Sequence, residues 1–333
     1  MRFGQGIASL GLALVAVTAA APATAQQPAA DRLPAAVLDV VPPSARVRGV
    51  PGTMSVQPRD CRPQPASTLR RRIVDVAVQE WGFFGFRTAA PADDGANDAA
   101  DDGGRRRPRL PPAEAARVAA SIAGYWAVTA EGSWIVARQN DRWNGPEGIA
   151  ARWNAPWSAA FISWVMCEAG LSATAQFQRA VAHHTYIDQA LRRRDGVASQ
   201  AAFIAYDVGE SAIEPGDLLC SSRRPMYRTL ADRRRQLGVG ARSHCDVVVK
   251  VDDGGQRVFA IGGNVRGVVS LKQLPAVRQP GKALAAHTGN DERPIFAHLK
   301  LRAPSIDANA LDTSPTVAAS ARTRSGGVAG GSH

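Results

Sequence analysis

The spacing of apolar residues changes once along the chain, from a helical period to a period of two. Up to about residue 194, apolar residues recur three and four positions apart, which predicts helices with a buried stripe. From Ile213 onward the period is two, which predicts strands joined by turns. Helices followed by strands predict an α+β domain in which a helix layer packs on an antiparallel sheet. The predicted helices are 67–82, 113–126, 156–170 and 183–194, and the predicted strands are 216–220, 243–251, 257–262, 268–271 and 295–301.

Composition separates this domain, predicted to span residues 66–302, from segments that lack a sustained period. Residues 26–65 are rich in Pro, Ala, Val and Arg and predict a linker or extended arm. Residues 88–112 combine an Asp/Ala/Gly block with three arginines and several prolines, which predicts a disordered insertion. Residues 303–333 are rich in Ala, Ser, Thr and Gly and predict a disordered tail.

Residues 1–25 have the features of a secretory signal peptide. Arg2 precedes an apolar run over 7–20, and Ala23-Thr24-Ala25 forms a small-residue cleavage site, so cleavage is predicted after Ala25. The run is short for a spanning helix and no cysteine follows the cut, so we predict neither a transmembrane segment nor a lipid anchor. We therefore expect a periplasmic or secreted protein.

The chain is strongly basic, with 40 Lys+Arg against 29 Asp+Glu and a formal net charge of +11. For an exported protein the expected acidic partners are peptidoglycan or another anionic cell-wall polymer, and anionic lipid surfaces. No base-reading motif accompanies the charge, so nucleic acid is not an expected partner. Residues 221–242 form an arginine-rich excursion that includes Arg233, which is either a solvated loop or an anion-binding surface.

The helix predicted over 156–170 carries the first candidate functional residue. Pro156 suits the first helical position and Gly170 suits the stop. Ser158 then lies in the first turn, where backbone N–H groups and the positive end of the helix dipole are exposed. This is a suitable position for a nucleophile, but on this stretch alone capping or packing is the favoured role of the serine.

Three motifs follow one another within roughly residues 150–272. They are Pro156-Trp157-Ser158-Ala159-Ala160-Phe161, Ser243-His244-Cys245-Asp246-Val247 and Ile261-Gly262-Gly263-Asn264-Val265, with Pro215-Gly216-Asp217 before the second. In this order they resemble the CHAP branch of the NlpC-type, papain-fold cell-wall hydrolases, in which a cysteine stands at the Ser158 position. They also resemble a bacterial family that keeps the serine and has no assigned activity. The resemblance implies a papain-like fold with Ser158 as nucleophile, His244 as base and Asn264 as the residue that orients the base.

Serine makes a different demand on the histidine than cysteine does. A thiol of pKa ~8.5 is readily ionised by an imidazole and a helix N-terminus, so a neutral orienting residue suffices. A hydroxyl stays protonated until it attacks, and the imidazolium that forms is stabilised by a carboxylate; exchanging that carboxylate for an amide in a serine protease lowers kcat by ~10⁴. Asp246 shares the strand face of His244 and is the alternative orienter, although two strand positions span about 7 Å.

Several further residues are candidates for the same site. The backbone N–H of Ser158, alone or with the Asn154 side chain, could form an oxyanion hole, while a turn role for Asn154 is equally open. Trp153 and Trp157 flank the loop before Ser158 and could stack on sugars, although core packing is the commoner role of such residues. His183 and His184 point about 100° apart on a helix and are poorly spaced to bind one metal together, so we expect surface or cap positions, or one of them in the cleft. No zinc spacing, phosphate loop or dinucleotide fingerprint is present, so neither a metal nor a cofactor is predicted.

The four cysteines could form two disulfides in an oxidising compartment. The fold implied by the resemblance places Cys220 and Cys245 on strands of one sheet, which makes them the favoured pair. Cys61 and Cys167 then remain as the second pair.

These observations lead to three functional hypotheses. The first is an exported peptidoglycan amidase or endopeptidase that acts through an acyl-enzyme on Ser158. The second is a catalytically degenerate module of the same fold that binds the cell wall. The third is an envelope protein that recruits anionic lipid through its arginines.

Overall fold

The computed structural model describes residues 29–58, 60–90, 111–223, 227–252, 254, 256–288 and 293–328. The predicted signal peptide and nearly all of the predicted insertion lie outside these residues. The described chain is α+β, with helices packed on a sheet whose strand pairs are antiparallel with one exception. The predicted fold class is therefore confirmed at this level.

The main sheet has eight strands, seven of them in the order β3-β8-β7-β6-β5-β10-β4, with β9 paired to β8. Only β3 runs parallel to its neighbour, β8, among the described strand pairs. A separate pair, β1 with β2, lies in the segment that precedes the first long helix. The strands are β1 Val47–Arg48, β2 Ser55–Val56, β3 Arg87–Ala89, β4 Phe203–Tyr206, β5 Leu218–Ser222, β6 Ser243–Asp252, β7 Arg257–Val265, β8 Val268–Arg278, β9 Leu284–Ala286 and β10 Ile295–Leu301.

One helix lies at the centre of the core and positions the candidate nucleophile. All residues of α5 are buried, and the helix packs against α2 and α3 on one side and against β6 and β7 on the other. Gly263 of β7 allows this approach, because a Cβ there would lie 2.6 Å from the Phe161 Cβ. The helices are α1 Ala35–Leu38, α2 Leu69–Phe83, α3 Pro112–Trp126, α4 Gly132–Trp143, α5 Ser158–Ala169, α6 His184–Arg194, α7 Leu230–Arg234 and α8 Pro315–Val328.

The segment predicted as a linker or extended arm lies against the domain and contributes to its core. Two of its arginines form buried ion pairs, Arg32 with Glu80 and Arg46 with Glu168, each at 2.6 Å. Leu38, Val40, Met54 and Val56 add apolar contacts. The arm contains α1 and the β1–β2 pair, and it is part of the folded unit because its charges and apolar side chains are buried.

The predicted disorder of the tail is wrong for its described part. Ala310 and Leu311 are buried in the main core, and residues from Pro315 form α8, which contacts α2. The Leu311 N–H also donates to the Val249 carbonyl at 2.9 Å. Composition alone indicated disorder because the segment contains few large apolar residues. A few apolar side chains nevertheless make the tertiary contacts that order it.

Both disulfides are present, in the favoured pairing. Cys220 and Cys245 are directly opposite one another on β5 and β6, and Cys61 of the arm is joined to Cys167 of α5. Disulfides persist in oxidising surroundings, so they indicate an extracellular or periplasmic location. Within the described ranges, no helix has the length and apolar character that crossing a bilayer requires.

Candidate active site

Ser158 is the first residue of α5, at the end of the helix where backbone N–H groups lack helical partners. The preceding residue, Trp157, has φ −94° and ψ 11°, and its carbonyl accepts from the Phe161 N–H. The Ser158 side chain is buried, with 2% of the residue exposed. A hydroxyl in this position lies in the positive field of the helix and is shielded from bulk water.

The Ser158 hydroxyl forms a hydrogen bond with a histidine. Its Oγ lies 2.7 Å from Nε2 of His183, the residue immediately before α6. The other ring nitrogen, Nδ1, is in hydrogen-bond contact with the Tyr186 hydroxyl, three residues further along. Because serine, imidazole and phenol are connected in series, a proton leaving Ser158 has an acceptor that is itself oriented by a third group.

The surroundings of His183 keep its imidazole neutral. Burial lowers the pKa of His183 well below its ordinary value, and electrostatic interactions with His244, Arg223 and Lys272 lower it further, against the opposing effect of Asp246. Burial, and the charge of Asp246, raise the pKa of Tyr186 well above its ordinary value. Both groups are therefore uncharged at neutral pH.

The Tyr186 hydroxyl selects the tautomer of His183. When it donates to Nδ1, the ring proton lies on Nε2 and faces Ser158. When it accepts from Nδ1–H, Nε2 is free of its proton and can accept the proton of Ser158. Passage between the two arrangements requires the ring proton to move from Nε2 to Nδ1 as well as rotation of the phenolic O–H, and only the second arrangement lets His183 act as a base.

A second histidine borders His183. The rings of His183 and His244 have centroids 5.3 Å apart. His244 Nε2 lies 3.0 Å from Asp246 Oδ1, and Lys272 Nζ donates to Asp246 Oδ2 at 2.6 Å. Burial opposes the charge of Asp246, but Lys272 and His244 outweigh it and lower the pKa of Asp246 far below its ordinary value. Asp246 is therefore an ionised, buried carboxylate between a lysine and a histidine.

The predicted trio of Ser158, His244 and Asn264 is rearranged in the structure. His183 takes the hydrogen bond of the Ser158 hydroxyl that His244 was expected to make, and His244 pairs with Asp246. Asn264 has a left-handed backbone, φ 58°, at an irregularity in the β7–β8 pairing, and its side chain makes no hydrogen bond with another described residue. Asparagine is among the residues that tolerate this conformation, so the structure gives Asn264 a backbone role. The suggested pairing of Asp246 with His244 is present.

The tryptophan and asparagine candidates are distributed differently from the prediction. Trp157 is 1% exposed and stacks on Phe84 and Tyr125, so its ring belongs to the core and its predicted sugar contact is wrong. Trp153 is half-buried against Trp143. Asn154 is exposed, and its side chain accepts from Arg142 at 3.1 Å. Burying a large aromatic ring removes much apolar area from water, and this favours a core position even for a residue next to a predicted cleft.

Three arginines of the arginine-rich excursion pair with carboxylates of the protein itself. Arg233 is fully buried and forms a two-point ion pair with Asp188 at 2.6 and 2.7 Å. Arg234 pairs with Asp195, and Arg235 pairs with Asp232. The anion-binding alternative for Arg233 is therefore wrong, because its guanidinium is not accessible to a ligand.

Gly262 allows the histidine and aspartate of β6 to meet beside β7. A Cβ at this position would overlap Asp246 Oδ1 and would lie 2.8 Å from His244 Nε2. We therefore expect Gly262→Ala to lower the free energy of unfolding by about 1–3 kcal/mol, through overpacking and loss of the His244–Asp246 contact. Urea denaturation would measure the change. Gly240→Ala, whose Cβ would meet open space, is the matched control, and equal stability of the two variants would contradict this role for Gly262.

Among the described residues, no group of three or more His, Cys, Asp or Glu side chains is arranged to hold a metal ion. His183 was expected at a surface or cap, or in the cleft, and its hydrogen bond with Ser158 was not predicted. It is indeed adjacent to the start of α6, but only 4% of it is exposed. The sequence contained one indication that His183 has a side-chain partner: Tyr186 follows it by three positions, so both residues lie on the same helix face.

Residues 116–301 match a protein family described as "Uncharacterized protein conserved in bacteria (DUF2272)". No curated protein and no solved structure matches the chain. The matched range extends from α3 to the last residue of β10, and it includes Ser158, His183, His244 and Asp246. A function for this chain therefore has to be inferred from the geometry of these side chains.

Proposed function

The chain belongs to this uncharacterised bacterial family, and from its own site we propose that it is an exported hydrolase that cleaves an amide bond of peptidoglycan. The observation that carries the proposal is the 2.7 Å contact between Ser158 Oγ and His183 Nε2 at the start of a buried helix. Signal-peptide cleavage after Ala25 and a papain-like arrangement of α5 against β6 and β7 are parts of the same proposal.

The chemistry follows from the two hydrogen bonds of His183. With Nδ1–H donating to Tyr186, the Ser158 proton passes to Nε2 as Oγ attacks the amide carbon. The carbonyl oxygen then becomes negative beside the first N–H groups of α5, which stabilise it. Collapse breaks the C–N bond, and His183 returns the proton to the departing amine. Water repeats the sequence on the ester and releases the acid.

His244 and Asp246 support this arrangement from beside His183. His183 becomes positive in the transition state, and Asp246 is the negative charge that favours this form of the ring. His244 lies between Asp246 and the His183 ring and fixes the position of that ring. We assign positioning roles to both residues, with His183 as the base.

Peptidoglycan is the proposed substrate for two reasons. The motifs of α5, β6 and β7 resemble those of cell-wall hydrolases, and the disulfides indicate the compartment in which the wall is found. The net charge of +11 favours approach to an anionic polymer over the whole surface, whereas the arginines of α7 are paired internally.

A second candidate, a module that binds peptidoglycan without cleaving it, is favoured by one observation. The nearest contacts of His183 are a serine and a tyrosine, and positive neighbours oppose protonation of its ring. Both effects slow a step that passes through imidazolium. The two candidates differ in whether soluble fragments are released.

The test compares the mature protein, with both disulfides formed, with Ser158→Ala and Ser158→Cys. The hydrolase releases soluble muropeptides from purified sacculi, and Ser158→Ala abolishes the release. Ser158→Cys retains or increases it, because a helix N-terminus and the cations Arg223 and Lys272 favour the thiolate. Rapid alkylation of that thiol by iodoacetamide, compared with a denatured control, reports the thiolate directly.

Fragment release that is unchanged in Ser158→Ala would contradict the assignment of the nucleophile. Saturable binding to sacculi without release, by wild type and Ser158→Cys alike, would replace the hydrolase with the binding module. Melting temperatures of all three proteins serve as the control for folding.

A further inference from the structure

A cavity lies away from Ser158, near the opposite end of α5. It has a volume of about 550 Å³ and is open to solvent on one side. Its walls are formed by the turn between α3 and α4, by the chain that follows α5, and by the arm residues Val56, Pro58, Asp60 and Cys61. The Cys61–Cys167 disulfide joins the arm to α5. A cavity of this size is in the range that accommodates small ligands.

Arg179 gives this cavity an uncompensated positive charge. Its Nη1 donates to the carbonyls of Leu171 and Ser172 at 3.2 and 2.9 Å, which fixes the guanidinium in place. Its Nε and Nη2 make no hydrogen bond with another described residue, and no described carboxylate lies within ion-pair distance of it. Burial, and then the nearby charge of Arg46, lower the pKa of Arg179, so its electrostatic surroundings are unfavourable. A half-buried guanidinium with one fixed side and one open side is suited to bind an anion at two points.

The rest of the lining indicates what the anion belongs to. Asp60 is exposed on the arm and lines the same cavity without a described ion-pair partner. Ser133 and Ser172 contribute hydroxyls, and Ala127, Val128 and Ala130 contribute apolar surface and backbone groups. An isolated phosphate would make no favourable contact with the carboxylate of Asp60. A ligand with a carboxylate and an ammonium group satisfies both charges.

We propose that this cavity binds a small zwitterion, an amino acid or a short peptide with free termini, with its carboxylate on Arg179 and its ammonium near Asp60. The ligand is of dipeptide size, as the volume allows. The site is separate from Ser158 and functions whether or not Ser158 turns over a substrate.

The test is calorimetric titration of the mature, disulfide-bonded protein with four probes: alanyl-alanine, its N-acetyl derivative, its C-terminal amide and inorganic phosphate. Alanyl-alanine should bind saturably. The C-terminal amide, which lacks the carboxylate, should bind about 10–100-fold more weakly, the range expected for loss of charge-assisted hydrogen bonds. The N-acetyl derivative should lose less, because Asp60 is more exposed than Arg179.

Two variants locate the binding. Arg179→Gln should weaken alanyl-alanine binding about 10–100-fold. Asp60→Asn lies on the surface and should reduce the preference for the dipeptide over its N-acetyl derivative while the melting temperature stays unchanged. Arg138→Gln, an exposed arginine outside the cavity that contacts Trp134, is the matched control and should bind like wild type.

Three outcomes would overturn the proposal. The first is no saturable binding of alanyl-alanine. The second is binding that is unaffected in both Arg179→Gln and Asp60→Asn. The third is phosphate binding as tight as that of the dipeptide and equally dependent on Arg179, which would identify a simple anion site.

Discussion

Replacing His183 by glutamine should lower kcat for sacculus hydrolysis by about 10²–10⁴-fold, the usual contribution of a general base. Glutamine is polar and can still form a hydrogen bond with Ser158, but it cannot accept the serine proton. KM should change little, because His183 is buried behind the nucleophile and the effect is on proton transfer. The measurement is the rate of muropeptide release at saturating and subsaturating substrate.

The neighbouring histidine provides the control for this prediction. His184 is half-buried and its Nδ1 accepts only a long contact, 3.4 Å, from the Ala241 N–H. His184→Gln should therefore retain activity within about twofold, as expected for a residue outside the site. A folded His183→Gln with full activity, together with an inactive His244→Gln, would assign the base to His244.

The pH profile gives an independent test of His183. Burial and neighbouring cations lower its pKa well below 6.5, so the free base persists as the pH falls through 6.5. The acid limb of kcat/KM should thus lie below the value of an ordinary histidine. The same pKa shift makes folding stability depend on pH. Below pH 6.5 the histidine binds a proton in the unfolded chain but stays neutral in the folded chain. This contribution to folding stability is therefore complete above pH 6.5 and declines below it. An acid limb at or above 6.5 would contradict the described surroundings of His183.

Asp217→Asn should lower the free energy of unfolding by about 3–5 kcal/mol, the range for a broken buried ion pair. Asp217 is fully buried and accepts four hydrogen bonds. Arg70 and the Leu301 N–H donate to Oδ1 at 2.7 and 3.0 Å, and His298 and the Glu214 N–H contact Oδ2 at 2.8 and 3.0 Å. An amide offers one acceptor oxygen and turns two protons toward the other donors, so either Arg70 or His298 would lose its acceptor on this side chain inside the core.

This cluster joins the two ends of the domain, which is why the effect should be global. Arg70 lies on α2 and also donates to the carbonyls of Pro215, Leu301 and Ala303, so one guanidinium connects α2, the turn before β5 and the end of β10. Urea denaturation would measure the loss. Asp312→Asn is the matched control, because its pair with Lys250 is of similar length, 2.6 Å, but is exposed, and should contribute at most about 1 kcal/mol. Equal effects of the two variants would contradict the buried role of Asp217.

Acid should weaken the same cluster. Burial opposes the charge of Asp217, but the hydrogen bond and charge of His298, with Arg70 and Lys300, lower its pKa below 3.8. A lowered pKa in the folded state means that the contribution is complete above pH 3.8 and is lost as the pH falls below that value. The stability gap between wild type and Asp217→Asn should therefore narrow in strong acid.

Local patterns predicted four of the eight described helices and five of the ten described strands, some of them with close bounds. The strand predicted over 295–301 is β10 as observed, and the helix predicted over 113–126 differs from α3 by one residue. The helix α4 and the short strands β3 and β4 were missed, because α4 follows α3 after a brief turn and a strand of three or four residues carries too few positions to show a period. The start of α5 was predicted well enough to identify Ser158 as a first-turn residue.

The sequence by itself determined the α+β class, the start of the helix that carries Ser158, and the alternation that places His244 and Asp246 on one strand face. These features depend on contacts between residues that are close in the chain. Only the tertiary structure decided that His183 contacts Ser158, that Trp157 and Arg233 are buried, and that the tail joins the core. Each of these depends on which distant segments meet, and a hydrogen-bond partner 25 residues away is selected by the packing of whole helices and strands. Periodicity records which face of an element is buried, but it does not record what that face is buried against.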